Sequence, residues 1–132
     1  MFYYNLFCVD NHAWLGGGVG GFSVALTGCT IAQNSASEGG GVYVAYLPQS
    51  ETLQTLVNCI VATNTAAISG PDIGGTAWNY GPPRATYCLI PGGYVGTGNL
   101  SGSPRFVDAI HGDFRLLANS PGVDAGNVAA TS

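Results

Sequence analysis

The sequence contains no lysine, and its only basic residues are Arg84, Arg105 and Arg115, against seven acidic residues and a formal charge of -4 over 132 residues. A nucleic-acid backbone is gripped by clustered Lys and Arg that release its counterions, so no nucleic-acid partner is expected. Charged residues of both signs make up only 8% of the chain, and no block of like charge holds it open. No stretch reaches the roughly 18 uninterrupted apolar residues of a membrane helix, so no membrane insertion is expected. The opening Met1-Phe2-Tyr3-Tyr4-Asn5-Leu6 lacks the basic flank and small-residue cleavage site of a signal peptide. It already reads as strand, and the expectation is a chain that begins inside a repeat, as a fragment would.

What the sequence has in quantity is glycine, 21 residues, and the glycines fall in register with the apolar residues. The pattern is set by Leu26-Thr27-Gly28-Cys29-Thr30-Ile31-Ala32-Gln33-Asn34, followed after a short polar link by Gly39-Gly40-Gly41-Val42-Tyr43-Val44. Aligned on the residue after the strand, Asn11, Asn34, Asn64 and, in a weaker copy, Gly93 recur at intervals of 23, 30 and 29 residues. Two of these copies reach a glycine triplet five residues on, at Gly16 and at Gly39. Such periods mark units that bury their apolar side only by stacking on the next unit.

The register assigns columns. Leu6, Cys29, Cys59 and Cys88 form one, and Cys8, Ile31, Val61 and Ile90 form another two residues on, so both point to one face of a strand. Tyr3, Leu26, Leu56 and Ala85 stand three residues before the first column. An odd step between inward positions needs a bend, and the bend slot holds Asn5, Gly28, Asn58 and Tyr87; Gly and Asn accept the left-handed conformation most readily. Val19, Val42, Ile73 and Val95 form the inward column of a third strand. The expected fold class is therefore all-β, a right-handed parallel β-helix (solenoid) of about four to five coils with three short strands per turn and about 4.8 Å per rung. One domain spans 1-132, with coils at about 1-22, 23-52, 53-83 and 84-104 and a C-terminal cap at 105-127. In the cap, Phe106, Phe114, Leu116 and Val123 are expected to pack on the last rung and protect its open strand edge, with Asp108, Asp113 and Asp124 tying turns through backbone amides.

The run from Gly28-Cys29-Thr30-Ile31 through Gly39-Gly40-Gly41-Val42-Tyr43 and Gly70-Pro71-Asp72-Ile73, closed by Ser103-Pro104-Arg105-Phe106-Val107-Asp108, Gly112-Asp113-Phe114-Arg115-Leu116 and Ser120-Pro121-Gly122-Val123-Asp124-Ala125-Gly126-Asn127, resembles the C-terminal end of bacterial right-handed parallel β-helix surface proteins. These are the pectate-lyase-like repeat proteins of the choice-of-anchor type. The resemblance covers about residues 22 to 127 and implies a pectin-lyase-like fold in a secreted or cell-surface repeat protein. Ser103 and Arg105 depart from the acidic and apolar residues commoner at those places, and no anchoring tail follows Asn127.

Few groups suggest chemistry. Cysteine spacings of 21, 30 and 29 residues match no CxxC-type zinc pattern, and neither a metal nor a cofactor is expected. The thiols are read as buried and reduced, with a Cys29–Cys59 or Cys59–Cys88 bridge as the alternative. Lyases of uronic-acid polymers generally use a Lys or Arg to abstract the proton next to the substrate's carboxylate, and hydrolases need clustered aspartates; here only Arg84 lies near the loop corner, the aspartates are scattered, and no catalytic residue is assigned. His12 and His111 read as loop histidines. The extra residues of the longer turns, Ala45 to Glu51 and Thr76 to Pro83, fall at one corner. Tyr46, Trp78, Tyr80 and Arg84 there are the candidate ligand-binding residues, with a polysaccharide or cell-surface glycan as ligand. Trp14 is expected to lie back on the outer wall. Two functions follow: a non-catalytic structural or adhesive segment of an exported protein, with end-to-end self-association through an uncapped first coil, or a carbohydrate-active module.

Overall fold

The computed structural model describes residues 2–21, 24–44, 55–75 and 83–127. The chain is all-β with parallel sheets, and its helical content among these residues is a single 3-10 turn, Ala109–His111. The strands run β1 (Phe2–Tyr4), β2 (Phe7–Val9), β3 (Val19–Gly21), β4 (Ala25–Thr27), β5 (Thr30–Ala32), β6 (Ser35–Glu38), β7 (Val42–Val44), β8 (Thr55–Val57), β9 (Ile60–Ala62), β10 (Thr65–Ser69), β11 (Ile73–Gly75), β12 (Arg84–Thr86), β13 (Phe106–Asp108) and β14 (Asp113–Leu116). Each parallel sheet takes one strand from successive repeats, in the orders β1-β4-β8-β12, β2-β5-β9, β6-β10 and β3-β7-β11.

The expected columns appear as pairing partners. Tyr3 aligns with Leu26, Leu26 with Leu56 and Leu56 with Ala85; Cys8 aligns with Ile31 and Ile31 with Val61; Val19 and Ile73 both align with Val42. Leu26, Ile31, Leu56 and Val61 are completely buried, each contributing about 1.5–3 kcal/mol by leaving water. At the bend slot Asn5, Gly28, Asn58 and Tyr87 all have positive φ, between 51° and 66°. Tyr87, the unsuited residue, is accommodated because Gly98 leaves room for its ring; a Cβ at Gly98 would stand 2.5 Å from Tyr87 Cδ1.

Three expectations need correction. The polar link after each Asn is itself a strand: β6 and β10 pair in parallel, and the first repeat joins them through bridges His12↔Ser35 and Leu15↔Glu38. Four strands per repeat result where three were expected. Only Ala36 of β6 is buried, so this wall carries too weak an apolar alternation to show in the sequence. Val95 is 93% exposed rather than inward, and Tyr94 packs against the core in its place. The C-terminal segment does more than cover an end. Leu100 continues the β2-β5-β9 row through Leu89, with Leu100 N on Cys88 O at 2.8 Å. The chain then returns along the wall, where Gln33 Nε2 donates to Ala109 O at 3.3 Å and Asn58 Nδ2 donates to Asn127 O at 2.8 Å.

Within that arm β13 and β14 form an antiparallel pair, with Phe106 edge-on to Phe114 at 5.2 Å between ring centres. Phe114 is buried, whereas Val123 is 42% exposed and does not pack as expected. Asp113 ties a turn by accepting Arg115 N at 3.2 Å, and its hydrogen bonds from the Arg115 side chain hold its carboxyl down at about 2. Asp108 instead pairs with His111 at 2.7 Å.

Candidate functional site

A continuous polar line runs through the stack where the repeats place asparagine. Asn34 Oδ1 accepts Asn11 N at 2.9 Å and Asn11 Nδ2 at 3.0 Å. One rung on, Asn64 Oδ1 accepts Asn34 N and Nδ2, both at 3.0 Å. Asp72 Oδ1 closes the line by accepting Asn64 N at 3.3 Å and Nδ2 at 3.0 Å. Asn34 Nδ2 also donates to Cys8 O at 2.8 Å, and Asn64 Nδ2 to Ile31 O at 3.0 Å. Asn34 and Asn64 are buried, and this pattern meets the requirement that buried amides be paired. The recurrence of Asn at one register position was visible in the sequence; its role as a ladder was not.

The ladder explains the glycine triplets. Their first members, Gly16 and Gly39, take positive φ. A Cβ on the second would stand 2.6 Å from Ser35 O at Gly17 and 2.5 Å from Pro71 O at Gly40. On the third it would meet the ladder, 2.8 Å from Asn34 Nδ2 at Gly18 and 2.7 Å from Asn64 Nδ2 at Gly41. In the third repeat the triplet becomes Gly70-Pro71-Asp72, where β10 and β11 are, among the described residues, the last strands of their sheets. Burial raises the Asp72 carboxyl above its ordinary range, against the lowering effect of the Asn64 hydrogen bonds.

The interior thiol column is equally regular. Cys29, Cys59 and Cys88 are each about 1% exposed, Cys8 is half-buried, and no disulfide joins them. Cys59 Sγ donates to Leu26 O at 3.5 Å and Val57 O at 3.3 Å, and Cys88 Sγ to Leu56 O and Thr86 O, both at 3.4 Å. Hydrogen bonding with Cys29 and Cys88, together with burial, pushes the Cys59 thiol up; burial, then the neighbouring Cys29, does the same to Cys8. Among the described residues no group of three His, Cys, Asp or Glu is arranged to hold a metal ion.

Of the four candidate ligand-binding residues, Tyr46, Trp78 and Tyr80 lie outside the described residues. Arg84 opens β12, is exposed, and aligns with Thr55 at the start of β8. The chain rejoins the sheet here after each insertion, at Thr55 opening β8 and at Arg84 opening β12. Just behind this corner, half-buried Tyr94 donates its hydroxyl to Pro83 O at 2.7 Å, and burial raises its pKa.

A second polar face was not anticipated. His12 Nδ1 and Ser35 Oγ lie 2.8 Å apart on the outer wall of the β6-β10 sheet, so His12 is tied to a strand and is not a loop histidine. Trp14, two residues on, is 74% exposed and does not lie back on the wall. His12 and Trp14 are both exposed, in the segment that bridges to β6 at His12↔Ser35 and Leu15↔Glu38. A histidine bonded to a serine hydroxyl resembles half of a nucleophilic triad, but among the described residues no carboxylate is bonded to His12 to orient it. Such a face can donate and accept hydrogen bonds and offer an aromatic ring. No family model matches the chain, and neither a curated protein nor a solved structure is significantly similar to it.

Proposed function

We propose that the chain is a right-handed parallel β-helix segment of an exported or cell-surface protein, acting as a rigid, non-catalytic structural or adhesive element. The observation that supports this reading is the in-register pairing of equivalent strands along an unbroken Asn11-Asn34-Asn64-Asp72 ladder. Stacked rungs of this kind couple each repeat only to its neighbours and make a stiff rod with side walls free for contact. Uronic-acid polymers incubated with the protein are expected to gain no absorbance from unsaturated ends. Turnover that disappears in Arg84→Ala would overturn the reading in favour of a lyase.

A carbohydrate-binding module is the second reading, favoured by the exposed Trp14 two residues along the chain from the His12–Ser35 pair and by exposed Arg84 at the start of β12. Aromatic faces next to hydroxyl and imidazole groups suit sugar rings. Glycan-array binding lost in Trp14→Ala assigns the described wall, whereas loss only in Trp78→Ala assigns the loop corner with Tyr46 and Tyr80. An array without signal removes this reading.

A further inference from the structure

Cys29, Cys59 and Cys88 hold the same position on three successive rungs. Thr27 aligns with Val57 and Thr30 with Ile60, which sets Cys29 beside Cys59; Val57 aligns with Thr86 and Ile60 bridges to Leu89, which sets Cys59 beside Cys88. Rungs about 4.8 Å apart put neighbouring Cα atoms inside the roughly 4.4–6.8 Å range that a disulfide spans. The thiols lean the same way along the stack, Cys59 Sγ reaching Leu26 O at 3.5 Å and Cys88 Sγ reaching Leu56 O at 3.4 Å, each a carbonyl of the preceding rung. They also bond to one another, with Cys59 in the middle: hydrogen bonding with Cys59 lowers the Cys29 and Cys88 thiols, and the same contacts raise Cys59. The central sulfur therefore keeps its proton, and the two beside it are held nearer the thiolate, the form that attacks. Cβ atoms a full rung apart stand wider than the roughly 3.8 Å of a relaxed disulfide, so a bridge here is strained and easily reduced, the mark of a labile bond and not a structural one.

We propose that these three thiols form one redox site, in which Cys59 carries a single disulfide and passes it between Cys29 and Cys88. Each thiol is about 1% exposed, which shuts out bulky reagents and selects a small hydroperoxide as the oxidant. Cys29 thiolate attacks the peroxide oxygen, the O–O bond breaks, and with one proton taken up the products are Cys29 sulfenic acid and water. The Cys59 thiol then attacks the Cys29 sulfur, the S–O bond breaks, and the displaced hydroxide takes the Cys59 proton and leaves as a second water. Two thiols are thereby oxidised and one peroxide reduced. Exchange follows when Cys88 attacks Cys59 Sγ: the Cys59–Cys88 bond forms, the Cys29–Cys59 bond breaks, and its electron pair goes to Cys29, which takes the proton that Cys88 gives up. Three sulfurs in one file let the entering sulfur approach opposite the leaving one. The inference rests on the stacked register and stands whether or not the chain binds a glycan.

Hydrogen peroxide treatment of the folded 132-residue chain tests it, in a Cys8→Ser background that keeps the half-buried thiol out of the reaction. Digestion with pepsin in acid, where thiols do not exchange, and mass spectrometry without reductant should find Cys29–Cys59 and Cys59–Cys88 linkages, both reversed by dithiothreitol, and no Cys29–Cys88 linkage. After catalase removes the peroxide, samples taken early and late in oxidation should drift to one common ratio of the two linkages. Cys59→Ala should abolish every internal bridge with an unchanged circular-dichroism spectrum, whereas Cys29→Ala and Cys88→Ala should each leave the one remaining pair. Thiols that stay reduced, sulfinic acids formed in place of a bridge, a Cys29–Cys88 linkage, bridges that survive Cys59→Ala, or a ratio frozen at its early value would each refute the site. The linkage map and its drift decide the matter even if a cysteine variant fails to fold.

Discussion

Replacing Asn34 by alanine tests the ladder most directly. The side chain makes four hydrogen bonds, donating to Cys8 O at 2.8 Å and Asn64 Oδ1 at 3.0 Å and accepting Asn11 N at 2.9 Å and Asn11 Nδ2 at 3.0 Å. At about 1 kcal/mol net each, the loss is about 4 kcal/mol. Water can reach exposed Asn11 and replace part of what it loses, which brings the expected cost to about 3 kcal/mol. That is a large share of the roughly 5–15 kcal/mol by which such domains are stable. Asn11→Ala is the control: it removes one side-chain bond at the exposed end and should cost about 1 kcal/mol. Asn34→Asp sharpens the test, because a carboxylate can still accept from Asn11 but cannot donate to Cys8 O or Asn64 Oδ1. Only its protonated form can donate, so its folded pKa must rise, and the variant should be most stable in acid and lose stability as pH rises through that raised value. Urea denaturation of the three variants at acid and neutral pH, with the slope checked for constancy, gives the comparison. If Asn34→Ala costs no more than Asn11→Ala, or Asn34→Asp is equally stable at both pH values, the ladder does not hold the stack together.

Three other outcomes are expected. Asp72 has a folded pKa raised chiefly by burial, so its contribution is fully present below the ordinary carboxyl value of about 3.9 and lost as pH rises through the raised one; Asp72→Asn keeps the acceptor for Asn64, and thermal melts should show it more stable than wild type at neutral pH, with a flatter acid profile. Gly41→Ala puts a Cβ 2.5 Å from Asp72 O and 2.7 Å from Asn64 Nδ2 and should cost about 1–3 kcal/mol by overpacking, whereas Gly20→Ala, whose nearest neighbour is 3.5 Å away, should melt close to wild type. An aromatic disulfide reagent should titrate Cys8 in the folded protein and Cys29, Cys59 and Cys88 only on unfolding, since those three are each about 1% exposed; rapid labelling of all four in the native state would contradict the interior column.

The sequence by itself determined the local repeat: which residues face inward along β4, β5, β8 and β9, and where the backbone turns left-handed at Asn5, Gly28 and Asn58. Alternation and glycine placement are properties of neighbouring residues, so they can be read without knowing what stacks on what. Even Tyr87, a poor match to its slot, was put in the right position by the register alone. The tertiary structure decided what depends on contacts between rungs 20 to 30 residues apart. The asparagines recur visibly, but whether an amide bonds water, its own turn or the next rung is set by the roughly 4.8 Å spacing of paired strands. The β6-β10 wall, with one buried alanine, is held by backbone pairing across repeats and leaves little apolar pattern. Val95 was misplaced because the repeat stops at Tyr94, where the chain bends toward Asn99 and back along the wall. The His12–Ser35 pair likewise arises only when the first repeat stacks on the second, and the exposure of Trp14 belongs to the assembled surface and not to the residue alone.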